Sequence, residues 1–174
     1  MNQASTTIEY PPDRFPVADL LPQSGAMMLI DAVKRIDDHS ISSQIKVRDD
    51  GLFSLPNQTV PAWVGIEYVA QTIAAFSGYH CLKRGEPIRL GLLLGTRHFE
   101  CQHSDYRCGT LLNVHATKII ESANDMCVFD STIEIANTDA SVPVLSASAK
   151  INLLLPRDLN AFLHQAQLKR HADE

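Results

Sequence analysis

PAWVGIEYVAQTIAAFSGYHCL, residues 61–82, is the stretch whose reading decides the fold. Pro61 suits the first turn of a helix, where its missing N–H would have no partner anyway. Trp63, Ile66, Glu67, Ala70, Ile73, Ala74 and Ser77 recur at helical spacing on one face. The other faces are also mostly apolar, which predicts a helix buried all round. Many of its side chains are small (Ala62, Gly65, Ala70, Ala74, Ala75, Ser77, Gly78), so a sheet can approach it closely. Gly85 and Pro87 end the segment. Glu67 and Gln71 interrupt the run, so it does not read as a membrane span.

Upstream of the helix, residues 27–36 form an apolar run, Asp37, Asp38 and His39 mark a turn, and residues 40–47 alternate. In that alternation Ile41, Ser43, Ile45 and Val47 oppose Ser42, Gln44 and Lys46, the period of a half-buried strand. The pair predicts a hairpin, followed by a loop over 48–60. A short turn or helix is expected at 17–21, and residues 1–16 read as a polar arm. Downstream, strands are expected over 89–97, 111–120, 126–136 and 142–154, and a short C-terminal helix after Pro156. Two strands, one long helix and about four further strands make an α+β domain spanning 17–155. Its expected form is an antiparallel sheet of about five to six strands wrapped around a single helix, with residues 156–174 as a helix or tail.

The chain has 174 residues, enough for one core, and 45% of them are apolar. Its net charge of −5, with basic residues only in scattered pairs, argues against nucleic-acid binding. The four cysteines, Cys81, Cys101, Cys108 and Cys127, form no C-x-x-C pair and read as reduced thiols. The opening MNQASTTIEYPPDRF lacks the basic start and apolar run of a secretory signal, so a cytoplasmic location is expected. No G-x-G-x-x-G or phosphate loop suggests a nucleotide cofactor, and none is expected. His98, Cys101, His103 and Cys108 carry ligand chemistry, but on a strand and turn alternate residues diverge, so a metal is not expected.

Three segments resemble the hotdog-fold 3-hydroxyacyl-ACP dehydratases. Leu20 to Val33 (LLPQSGAMMLIDAV) matches their Leu-Leu-Pro-His motif through Leu20, Leu21, Pro22, Leu29, Asp31 and Val33. Val60 to Gln71 (VPAWVGIEYVAQ) is similar to the start of their central helix, with Pro61, Ala62, Glu67, Ala70 and Gln71 in register. Arg97, Phe99 and Gly109 match a later strand pair. The runs VPAWVGIEYVAQTIAA and LLLGTRHFEC resemble a divergent branch of dehydratase-like proteins associated with aryl-polyene or related pathways. The resemblance implies a homodimer, or a heterodimer with a related subunit, whose sheets join edge to edge. It also implies an acyl thioester carried on the phosphopantetheine of ACP or CoA, entering a tunnel at the interface.

Dehydrating a 3-hydroxyacyl thioester takes a base for the α-proton, an acid for the leaving hydroxyl, and donors for the thioester oxygen. Glu67 is the candidate acid, its apolar neighbours favouring a retained proton. The N–H groups of Ala62 and Trp63 at the helix start are candidate oxyanion donors, with Gln71 a further substrate contact. Asp31 reads as a structural pairing residue within the first hairpin. The family's catalytic histidine has no counterpart: Phe53 stands 14 residues before Glu67, near the expected place. Gln23 replaces the histidine of the first motif, and an amide hydrogen-bonds but takes no proton at neutral pH. Three readings stay open. His98, His103 or His115 enters the site; a partner subunit supplies the base; or the chain does base-free work, as an acyl-thioester hydrolase with Glu67 activating water or as a non-catalytic partner.

Overall fold

The computed structural model describes residues 8–9, 15–136, 144–156, 159 and 162. In chain order the elements are β1 (Ile8–Glu9), α1 (Val17–Leu20), a 3-10 turn (Gly25–Met27), β2 (Ala32–Ile36), β3 (Ser40–Lys46) and β4 (Thr59–Pro61). A second 3-10 turn (Ala62–Val64) leads into α2 (Gly65–Lys83), followed by β5 (Leu92–Cys101), β6 (Asp105–Arg107), β7 (Leu111–Glu121), β8 (Met126–Ile135) and β9 (Val144–Leu154). The expected C-terminal helix lies outside the described residues, apart from Leu159 and Phe162.

One antiparallel sheet runs β1-β2-β3-β7-β8-β9-β5, and β4 pairs with β6 in a small second sheet. Six strands of the large sheet are the expected ones, and β1 adds two residues from the arm. The sheet wraps around α2, so the chain is a hotdog fold. The alternation of β3 is as read: Ile41, Ser43, Ile45 and Val47 face the core. Asp37 closes the β2–β3 turn by accepting from His39 N, Ser40 N and Ser40 Oγ. β5 begins at Leu92 rather than 89 and runs on to Cys101; β4 overlaps the end of the stretch read as loop, and its partner β6 was not among the expected strands.

The core is the inner face of the sheet packed on α2, with Val69, Ile73, Ala75 and Phe76 from the helix against Ile45, Leu112, Phe129, Ile133 and Ile151. Two of its polar groups pair inside: Ser43 Oγ and Thr72 Oγ1 lie 2.6 Å apart, and Thr72 Oγ1 also donates to Tyr68 O. The small residues of the helix serve the close approach expected of them. A Cβ on Gly78 would stand 2.1 Å from the carbonyl oxygen of Leu20, where α1 crosses the helix. Gly78→Ala is therefore expected to lower stability by about 1–3 kcal/mol, read as a lower denaturant midpoint, despite alanine's better helix propensity.

Burial all round the helix is not what the fold delivers. Ile66, Glu67, Ala70, Ala74 and Ser77 remain half-exposed along one stripe of α2. Their spacing keeps them on one face. The sheet closes over the other sides and leaves this face open next to β5, which has one neighbour only and is the edge of the sheet. No helix among the described residues is long and apolar enough to cross a membrane.

Candidate active site

The open stripe of α2 is the floor of a groove of about 130 Å³. Glu67, Ala70, Ala74 and Ser77 form the floor, Pro22 and Gln23 one wall, and Leu90, Gly91, Leu93 and Leu153 the other. Glu67 is the one acid in it, and small neighbours at i+3 and i+7 leave room beside the carboxylate for a chain.

Gln71 holds this end of the groove together. It is fully buried, and its amide is fully committed: Oε1 accepts from Leu29 N at 2.8 Å, while Nε2 donates to Met27 O at 2.7 Å and to Glu67 Oε1 at 2.9 Å. One side chain thus pins the segment after the first 3-10 turn to the helix and orients the carboxylate. Gln71 was expected as a substrate contact; the geometry makes it a clamp whose polar atoms already have protein partners.

Gln23 is the opposite case. Its Oε1 is buried, lies in the groove wall, and has no hydrogen-bond partner among the described residues. A buried acceptor left unpaired is costly, and Ser122 Oγ and Ser131 Oγ share that state among the described residues. Gln23 and Glu67, distant in sequence, therefore meet in one cavity, as their two motifs implied.

The proposed oxyanion amides do not line this groove. Ala62 N donates to Ser104 O at 3.0 Å, so it is already engaged. Trp63 begins the helix, where amides lack intrahelical acceptors, and its side chain is 60% exposed. The indole packs edge-on against Phe53, centroids 6.1 Å apart, beside a separate small crevice lined by Leu29, Ile45, Arg48 and Tyr68. Burial pushes the Tyr68 phenol up to about 12, so it stays protonated there. Asp31 pairs within the first hairpin, accepting from Lys46 N and from Arg48 Nη2 at 2.9 Å.

Among the described residues, no histidine lines the groove. His98 stands on β5 beside Glu100, 3.6 Å away, one residue from the core-packed Phe99 and so on the opposite face. His115 lies 3.5 Å from Glu134 in a depression on the outer face of β3 and β7. His103 is an exposed residue between β5 and β6. His80 is on α2 but thirteen positions beyond Glu67, about 20 Å along the helix. Burial lowers its pKa, and its Nε2 lies 3.2 Å from Asp37 O. The placement of His98, His103 and His115 therefore does not support the idea that one of these three enters the site; His164 and His171 lie outside the described residues. The thiols disperse as well: Cys101 Sγ faces Ala62 O and Cys108 Sγ faces Arg48 O, and the described residues hold no cluster spaced to bind a metal.

The wall formed by 89–93, and the role of Gln71, were not apparent from sequence. A Glu-x-x-x-Gln spacing is the signal that was available for the latter, since i and i+4 share a helix face.

A sequence model described as ApeP-like, ApeP dehydratase, matches residues 15–164. No curated protein matches the sequence. Among solved structures, the dehydratase heterocomplex ApeI:P from Xenorhabdus doucetiae contains a chain that is 25% identical. It superposes with a TM-score of 0.77 over 87% of this chain and 97% of that one. An acyl-CoA hydrolase from Staphylococcus aureus is 10% identical, with a TM-score of 0.52 over 68% of this chain and 66% of its own. A sigma28-regulated virulence protein from Campylobacter jejuni is 10% identical, with a TM-score of 0.53 over 82% and 89%. The last two likenesses are of fold alone.

Proposed function

We propose, because this chain belongs to the ApeP-like dehydratase family, that it is the glutamate-bearing subunit of a 3-hydroxyacyl-thioester dehydratase built from two unlike hotdog chains. The observation that carries this reading is a groove lined by Glu67 and Gln23 and, among the described residues, by no histidine. On this reading Glu67 serves as the acid, Gln23 as a hydroxyl-binding group, and the partner supplies the base.

The partner's place is marked by β5. Its outer edge has unpaired backbone groups, and Leu93 and Leu94 on it are 45% and 51% exposed. A free edge with apolar side chains invites another strand. A second hotdog chain adding its own edge strand there would lie beside the groove wall at Leu90 and Leu93 and close the groove into a tunnel. The heterocomplex that this fold resembles supports pairing with a related but different subunit.

In the closed site, a thioester from ACP or CoA places its C3 hydroxyl between Gln23 and Glu67. Gln23 Oε1 accepts a hydrogen bond from that hydroxyl, which keeps its proton, and orients the C–O bond toward the carboxyl. The partner's base removes the C2 proton. The C2–H electron pair becomes the new C2=C3 bond, the C3–O bond breaks, and Glu67 gives its proton to the departing oxygen, releasing water.

Gln23→Leu removes the acceptor while keeping similar bulk. It is expected to raise KM about tenfold, with a smaller change in kcat, because a neutral hydrogen bond to substrate contributes on the order of 1 kcal/mol. The function itself is tested by following 2-enoyl thioester formation from a 3-hydroxyacyl-pantetheine. The expected result is no product from this chain alone and product when a histidine-bearing hotdog partner is added. Release of free thiol instead of enoyl product would favour hydrolysis, and full activity from the isolated chain would place the base within it.

A further inference from the structure

Large apolar side chains stand exposed at both ends of β5, the free edge of the sheet. Leu90, Leu93 and Leu94, at or just before its N-terminal end, are 46%, 45% and 51% exposed. Its middle is polar, with Thr96, Arg97, His98 and Glu100 all exposed. At the C-terminal end the exposed apolar groups come from the segments packed beside it. Cys101 Sγ lies 3.8 Å from the carbonyl oxygen of Ala62, and Ala62 N donates to Ser104 O, so the helix start is tied to the end of β5. Trp63 is the next residue, and the ring of Phe53 backs its indole. Trp63 and Leu52, each 60% exposed, are the most exposed large apolar residues among those described. The loop that carries Leu52 and Phe53 is fixed: Ser54 Oγ accepts from Gly51 N and donates to Arg48 O, and Ser54 N donates to Gly51 O. Apolar groups held in water on a preorganised loop mark a surface that another chain covers.

We propose that Trp63 and Leu52, backed by Phe53, anchor this chain to the related hotdog chain that adds to β5, seating on that chain's counterpart of the apolar 90–94 segment. This rests on the two-chain reading above and names the side chains that make the contact. Every strand pair in the large sheet is antiparallel. A like chain joined antiparallel along β5 is related to this one by an approximate twofold axis through the middle of the strand. Such an axis brings the C-terminal end of one edge strand to the N-terminal end of the other. It sets Trp63 and Leu52 on the partner and, reciprocally, sets the partner's helix start on Leu90, Leu93 and Leu94. One operation thus covers both apolar patches and leaves the polar middle of the strand facing its like. The ten residues of β5 hold the patches about 30 Å apart, too far for one small ligand to cover both. A tryptophan at the rim of a free edge also suits an anchor, because its large rigid ring buries much area for little rotamer entropy.

Trp63 is the one tryptophan of the chain, so its fluorescence reads the contact directly. The full chain is titrated with the histidine-bearing hotdog partner, any tryptophan of which is replaced by phenylalanine, while sedimentation follows assembly independently. As the complex forms, the emission is expected to move to shorter wavelength and acrylamide quenching to fall severalfold. Trp63→Ala is expected to weaken assembly about 30-fold or more, the loss of an anchoring side chain, and Trp63→Phe much less. Leu52→Asp, a charge placed where the free chain is open to water, is expected to weaken it likewise. A merely structural role for Trp63 would lower the melting point of the isolated chain and leave the affinity of the folded chain unchanged, and that result overturns the proposal. So does a complex in which Trp63 is quenched as in the free chain. Burial of Trp63 in the chain alone, rising with its concentration, would make the occupant a second copy and overturn the assignment to an unlike chain. Burial on adding the partner without enoyl formation would uphold the contact and remove the dehydratase reading. Enoyl formation with Trp63 still exposed would do the reverse, and no assembly at any concentration would remove both.

Discussion

Glu67→Gln is expected to reduce enoyl formation by the assembled complex about 10²–10⁴-fold, the range for losing a positioned general acid. The replacement is nearly isosteric, and its amide oxygen can still accept from Gln71 Nε2, as Glu67 Oε1 does at 2.9 Å. Fold and assembly are therefore expected to be unchanged, and the loss to fall on kcat rather than on substrate binding. The half-exposed position of Glu67 on the open stripe gives the residue no structural duty in the core. Steady-state kinetics beside a thermal melt separate the two cases. A variant that melts normally and retains more than about a tenth of the activity would remove Glu67 from the chemistry.

The second large effect is on stability. Gln71→Met keeps the volume of the side chain and deletes three hydrogen bonds, leaving the buried Leu29 N–H and the Met27 carbonyl without the partner they now have. Each buried group left unpaired costs about 1–3 kcal/mol, so the variant is expected to melt about 5–15 °C lower. Activity is expected to fall as well, because the wall that carries Gln23 is anchored through Met27 and Leu29, and Glu67 loses its orienting donor. A melting point within about 2 °C of wild type would show that the clamp is not what holds this wall.

The fold was legible because its signals are long. Twenty-two residues of small and apolar side chains in one run leave little but a buried helix, and the alternation in 40–47 and 126–136 fixes which face of each strand is inside. Short features carried no such signal: β4 and β6 have three residues each, too few to show a period; β4 fell at the end of the stretch read as loop, and β6 was not expected as a strand. The groove was hidden for a different reason. Ala70, Ala74 and Ser77 are as small and bland as residues facing the core, so composition cannot say which face the sheet leaves open. Only the topology, with β5 at the edge, decides that.

Within the site, the pairing of Gln23 with Glu67 in one cavity followed from two motifs lying in register with a family. The engagement of Ala62 N did not, since Ser104 reaches it across 42 positions and no local pattern announces such a contact. Arg89 was read as the start of a strand, but β5 begins at Leu92 and Arg89 pairs instead with Glu86. The absence of a histidine near Glu67 was visible at once at Phe53 and Gln23. Structure was needed to show that His98, His103 and His115 do not repair it.

The central claim is that one active site is shared, with the acid from this chain and the base from another. It is tested most directly by a double-mutant cycle on the reconstituted complex, combining Glu67→Gln with removal of the partner's histidine. Groups that act as a unit are strongly non-additive, so either single change is expected to cost about as much as both together. Losses that multiply, or a partner histidine whose removal leaves enoyl formation intact, would contradict it.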